Sequence, residues 1–79
     1  MQVLVCDTNN TVHKSDRYTK ERIMQQESMS AEGYDAMVAN MQKMFKRLDD
    51  LENVILTING QERIFNPHHI VWIEIDTEE

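Results

Sequence analysis

Cys6, Asp7 and His13 stand close together near the start of the chain, and a thiol beside an acid and a histidine is raw material for nucleophilic catalysis. That chemistry needs a thiolate held against a base, with a third group orienting the base. Cys6 instead closes the apolar run Val3-Leu4-Val5-Cys6, where a neutral, buried thiol is expected. No nucleophile elbow or glycine-rich oxyanion loop accompanies it, so no catalytic residue is assigned and an enzyme is the least favoured class. His68-His69, taken with His13 and Cys6, is the set to weigh for a metal. Adjacent residues in an extended segment point to opposite faces, so the pair is poorly placed to share one ion. The spacings CxxC, HxxxH and HExxH do not occur. No metal and no cofactor is expected, and the histidine pair reads as the edge of a loop, able to give an interface pH dependence.

Charge and apolar clustering suggest binding chemistry instead. Lys14, Arg17, Lys20 and Arg22 form a basic group diluted by Asp16 and Glu21, either a solvated face or a patch for an acidic partner. Asp49, Asp50 and Glu52, with Glu74, Asp76, Glu78 and Glu79 near the C-terminus, are candidates to imitate nucleic-acid phosphates. Tyr34, Met37, Val38, Met41, Met44, Phe45, Leu48 and Leu51 recur at helical spacing. Such a stripe either packs across the chain's own sheet or offers part of itself to a second chain, a use to which flexible methionine is suited. Trp72 stands among Ile70, Val71, Ile73 and Ile75, so both sides of that segment are apolar. A sheet covered on one face does not need this, and something should cover the second face: the N-terminal segment, a second subunit or a target. The candidate partner-binding residues are Trp72, Ile70, Tyr34, Phe45 and Met41, with Trp72 first because tryptophan dominates interface energetics.

The elements that must position these residues are legible to different degrees. Residues 1–7 read as a strand ended by the turn Asp7-Thr8-Asn9-Asn10. Residues 8–29 are ambiguous, with a short helix over Asp16–Glu27 preferred and a strand through Tyr18–Met24 as the alternative. Ser30 is a good N-cap for a long helix over 30–52, which Asp49, Asp50 and Glu52, of the wrong sign for a helix C-terminus, should fray. Val54–Ile58 is a strand, and Asn59-Gly60 is a type I′ turn signal that pairs Ile55 with Ile64 and Val54 with Phe65. Asn66-Pro67 breaks the ladder before a third strand over His69–Ile75, making 54–75 a three-stranded unit, and 76–79 is a frayed acidic tail.

Composition bounds the rest. Seventy-nine residues make one domain of thin stability, and a single cysteine excludes an internal disulfide. Oligomerisation is the economical source of extra buried area. Fourteen acidic residues against eight basic ones, a formal charge of −6, argue against direct nucleic-acid binding and against attraction to anionic membranes. No apolar run is long enough to span a bilayer, and a lone thiol without a signal peptide points to the cytoplasm.

Ile58-Asn59-Gly60-Gln61-Glu62, Phe65-Asn66-Pro67, Ile70 and Ile73-Glu74 together resemble the strand–Asn-Gly–strand–Asn-Pro–strand unit of small FlbD-like flagellar-operon proteins, which implies the β-unit and no functional residue. In its acidity, single cysteine and Met-rich helix the whole chain is similar to the small acidic early proteins of large lytic phages of Gram-positive bacteria. That resemblance implies a protein that binds and disables one host machine of transcription, replication, division or proteolysis. The expectation is thus an α+β fold, a three- or four-stranded antiparallel sheet crossed by one long amphipathic helix. Its expected function is non-catalytic binding to a host cytoplasmic protein through an apolar surface. An acidic nucleic-acid mimic and a structural homodimer are the alternatives.

Overall fold

The computed structural model describes residues 1–78; Glu79, the last acid of the expected tail, lies outside them. The order is β1 (Gln2–Asp7), β2 (Val12–Lys14), α1 (Lys20–Gln26), α2 (Ala31–Phe45), β3 (Val54–Ile58), β4 (Gln61–Phe65) and β5 (Ile70–Asp76), with 3₁₀ turns at Leu48–Asp50 and Pro67–His69. β1 is the centre of a three-stranded antiparallel sheet in the order β2-β1-β5, and β3 and β4 form a second, two-stranded sheet. The fold is α+β.

Turn chemistry sets the local pieces. The Asp7 carboxylate accepts from the backbone N–H groups of Asn9 and Thr11 at 2.9 and 3.0 Å, and Asn10 takes the left-handed conformation at φ 62°, so the chain reverses into β2. Asn59 and Gly60 at φ 52° and 77° close the hairpin as a type I′ turn requires, in the expected register Val54↔Phe65 and Ile55↔Ile64. Asp16 ties this hairpin to the sheet. Its N–H donates to the Thr57 carbonyl at 2.8 Å, and its carboxylate accepts from the N–H groups of Asn59 and Gly60 at 2.7 and 2.9 Å.

The helices end where their caps dictate. α1 occupies the core of the short helix preferred for residues 16–27, starting at Thr19, whose side chain accepts from the Arg22 N–H. It closes in a Schellman pair, Met29 N–H to Met24 carbonyl and Ser28 N–H to Gln25 carbonyl. Ser28 sits at φ 50°, where a side chain is strained and glycine is not. Ser28→Gly is therefore expected to raise stability by about 0.5–1 kcal/mol in urea denaturation, the reverse of the usual cost of adding a glycine.

α2 starts as expected, with Ser30 Oγ accepting from the Gly33 N–H at 3.1 Å, but it stops at Phe45 rather than running to residue 52. Beyond Phe45 the backbone leaves helical geometry at Arg47 and turns through Leu48–Asp50. The turn sets Leu48 and Leu51 against the main core, and it takes Asp49 and Asp50 out of the helix, whose negative end they would oppose.

The three-stranded unit over 54–75 does not form. β5 leaves the hairpin at Asn66, whose side chain caps the Pro67–His69 turn, and Pro67 is buried in that corner. β5 instead pairs with β1, Val3 opposite Ile75 and Val5 opposite Ile73. Asp76 is the last residue of this strand rather than part of a free tail. β2, only three residues long, adds to the other side of β1, a strand the sequence did not announce.

One face of the three-stranded sheet carries the core. Val3, Val5, Ile70 and Ile73 pack with Val54 and Leu56 of the hairpin, and with Met41, Phe45, Leu48 and Leu51. A smaller cluster of Ile23, Tyr34 and Val38, with Met1, Tyr18, Met24 and Met37, joins α1 to the first half of α2. Val3 and Val5 of β1, with Met1 just before the strand, alternate onto the same face, so both helices and the hairpin lie on one side of the sheet.

Candidate docking face

Directly opposed residues of an antiparallel ladder share a face, so the register defines what the other side of the sheet presents. Cys6 lies between Val12 and Trp72, Leu4 between Lys14 and Glu74, and Gln2 opposite Asp76. Trp72 and Leu4 are half-buried and belong to neither core cluster, and Val12 is 43% exposed. Cys6, on the central strand, is enclosed by its neighbours, its thiol 3.6 Å from the Asp7 carbonyl. The result is an apolar strip of Leu4, Val12 and Trp72 around the buried Cys6, on the face of the sheet opposite the one that packs against the helices and hairpin.

The patch has a polar rim. Lys14 and Glu74 flank Leu4. At the far end Arg17 reaches over the strand ends, donating to Gln2 Oε1 at 2.8 Å and Asp76 Oδ2 at 2.9 Å, and also to the Glu78 carbonyl. The Arg17 hydrogen bond and the N–H of Glu78 hold the Asp76 carboxyl below the usual carboxylate range.

Of the five residues expected at a partner surface, only Trp72 lies on this face. On a regular strand residues two apart share a side, which would set Ile70 beside Trp72. A β-bulge overturns that: Cys6 opposes Trp72 while Asp7 opposes Ile70, leaving Val71 unpaired and exposed. The extra residue shifts the alternation, so Ile70 turns into the core beside Ile73. Tyr34 is buried between the helices, and Met41 and Phe45 pack against the main core. Leu4, Cys6 and Val12 were not expected at a surface, because their sharing a face with Trp72 depends on the long-range pairing of β1 with β5.

The candidate mimic acids are not brought into one array. Asp49, Asp50 and Glu52 are exposed around the turn after α2, whereas Glu74 and Asp76 edge the open sheet face, Asp76 already paired with Arg17.

The residues weighed for catalysis and metal binding come together only in part. Asp7 Oδ2 lies 2.9 Å from His13 Nε2, and the ring of His13 packs against Phe65 with centroids 4.9 Å apart. With His69, Ile64, Asn66 and Ile70 they line a cleft of about 460 Å3 between the two sheets. Cys6 projects from the opposite face of β1, so a Cys–His–Asp constellation does not assemble. Among the described residues no group of three or more His, Cys, Asp or Glu is arranged to hold a metal ion. No helix among them is long and apolar enough to cross a membrane.

Neither a family model, nor a curated protein, nor a solved structure matches the chain. Function is therefore read from the geometry.

The Asp7 carboxyl is held below its ordinary range by the hydrogen bond from His13, then by the N–H groups of Thr11 and Asn9. A carboxyl whose folded-state pKa is depressed contributes stability above its unfolded pKa of about 3.9, and that contribution disappears as pH falls through the lower folded value. Asp7 and Asp76 act in the same direction, so unfolding by urea is expected to become easier below about pH 4. Asp7→Asn is expected to be less stable than the native chain at pH 7 and to lose less on acidification. An unchanged acid slope in that variant would remove Asp7 from the account.

Proposed function

We propose that the chain is a non-catalytic binding protein that docks the open face of its three-stranded sheet on a protein partner. The observation that carries this reading is the strip of Leu4, Val12 and Trp72, set around the buried Cys6, on the face of the sheet away from both core clusters. Antiparallel sheets tolerate one solvated face, but that face is then ordinarily polar. An apolar patch with a charged rim marks an interaction surface. Trp72 supplies a large, stiff anchor, and Lys14, Glu74 and the Arg17–Asp76 pair provide direction and selectivity around it. The similarity to small phage early proteins supplies the class of partner, a host cytoplasmic protein whose working surface is inhibited or modulated by being covered. Dispersal of the acidic residues speaks against phosphate mimicry, which needs them in one array.

The test uses a position whose side chain is already largely in water. Val12→Lys places a charge on the patch at little cost to the fold. Native and variant chains serve as parallel baits in bacterial lysate, with captured proteins quantified by mass spectrometry. A partner held by the native chain should fall by about tenfold or more on the variant. Equal recovery would move binding to another surface.

A further inference from the structure

A second basic group of this acidic chain, apart from Lys14, Arg17, Lys20 and Arg22, lies at the end of α2. Lys43, Lys46 and Arg47, three of the eight in the sequence, crowd the end of α2. With Met44, Asp50 and Leu51 they line an open depression of about 680 Å3. Met44 is 51% exposed there, the most exposed methionine among the large apolar side chains at the surface. Among the described residues none of the three cations takes part in an ion pair, and neither do Asp49, Asp50 and Glu52, which follow at once in the chain. The carbonyl end of a helix favours cations, which accounts for their position. It does not account for the bare methionine among them or for the equal number of unpaired acids beside them.

We propose that this depression is where two copies of the chain meet about a two-fold axis. A two-fold contact turns one patch onto itself, so whatever stands on one side of the axis faces what stands on the other. Here that sets Lys43, Lys46 and Arg47 of one copy against Asp49, Asp50 and Glu52 of the next, with Met44 and Leu51 closing over the axis. The patch is locally neutral, whereas two copies carrying −6 each repel when they approach by most other routes. A foreign acidic segment would satisfy the cations but leave the three acids facing like charge; a second copy satisfies both. A 79-residue domain also gains from the added burial. The contact lies on the helix side of the sheet, away from Trp72, and stands or falls independently of docking by the open face.

The experiment is sedimentation velocity of the full chain from about 100 μM down to about 1 μM. A reversible monomer–dimer equilibrium is expected, weakened about tenfold by raising salt from about 50 to about 500 mM. The double variants Lys46→Glu/Arg47→Glu and Asp49→Lys/Asp50→Lys should each dimerise at least about tenfold more weakly. Mixed in equal amounts they should form a heterodimer, because each restores the charges that the other needs. Met44→Lys, at an exposed position, should also dissociate the dimer, and Trp72→Ala should not. A native chain that stays monomeric throughout, a dimer that survives Met44→Lys, or folded charge variants that remain apart when mixed would each overturn the proposal.

Discussion

Leu56→Ala is expected to destabilise the fold by about 2–5 kcal/mol, the usual range for deleting a buried leucine side chain. Leu56 is 4% exposed and sits where the hairpin meets the three-stranded sheet, packed into the cluster of Val3, Val5, Ile70 and Ile73. A domain of this length has about 4–12 kcal/mol of total stability, so the loss removes a large share of it and lowers the melting temperature by about 10–30 °C. The neighbouring residue makes the control. Ile55 is 56% exposed and faces outward opposite Ile64. Ile55→Ala should change stability by no more than about 0.5–1 kcal/mol, the scale of an exposed cross-strand pair. Circular dichroism during heating and in urea measures both. Similar losses at the two positions would mean that the hairpin does not pack on the sheet in this register, and that the two sheets do not share one core.

The hairpin register behind that prediction was legible because it is local. Asn59-Gly60 specifies the turn, the turn fixes the pairing, and a two-residue period does the rest. The start of α2 was legible for the same reason, since Ser30 and the residues it caps are adjacent in sequence. The partner of β5 was not. Its ladder joins Gln2 to Asp76 and Cys6 to Trp72, and nothing in either segment names the other. From the sequence β5 looked like the third strand of a contiguous unit, while the Asn66-Pro67 corner in fact redirects it to β1. The bulge at Val71 was hidden as well, because the apolar run Ile70–Ile73, four residues without a break, has no alternation from which a phase shift can be read.

The candidate site followed the same division. The sequence showed that β5 is apolar on both sides, and hence that a second face needs an explanation. Which residues share that face is a property of the β2-β1-β5 order, so Leu4, Cys6 and Val12 entered only with the structure and Ile70 left with it. Helical spacing likewise marked Tyr34, Met41 and Phe45 as one stripe, but spacing alone does not say whether a stripe meets its own sheet or another molecule. Here Tyr34 is shut between the helices, and only Met44, toward the end of the stripe, is largely in water.

Trp72→Ala is expected to weaken partner binding by about 30-fold or more, a loss of at least about 2 kcal/mol, as for a tryptophan at the centre of an interface. Its cost to stability should be smaller than that of Leu56→Ala, because Trp72 packs into neither core cluster and is only half-buried in the free chain. The two effects separate by experiment: thermal denaturation gives the fold, and titration calorimetry against the captured partner gives the affinity. Salt divides the mechanisms. An apolar anchor loses little affinity between about 50 and about 500 mM salt, whereas acids imitating phosphates lose most of theirs as exposed charges are screened. Trp72 is also the only tryptophan in the chain, so its fluorescence reports this face alone. Emission should shift to the blue when partner covers it, and the charge variants at the end of α2 should leave that shift intact. A folded Trp72→Ala chain that binds as tightly as the native one would show that the partner reads another surface, and the bare side of the sheet would then need a different explanation.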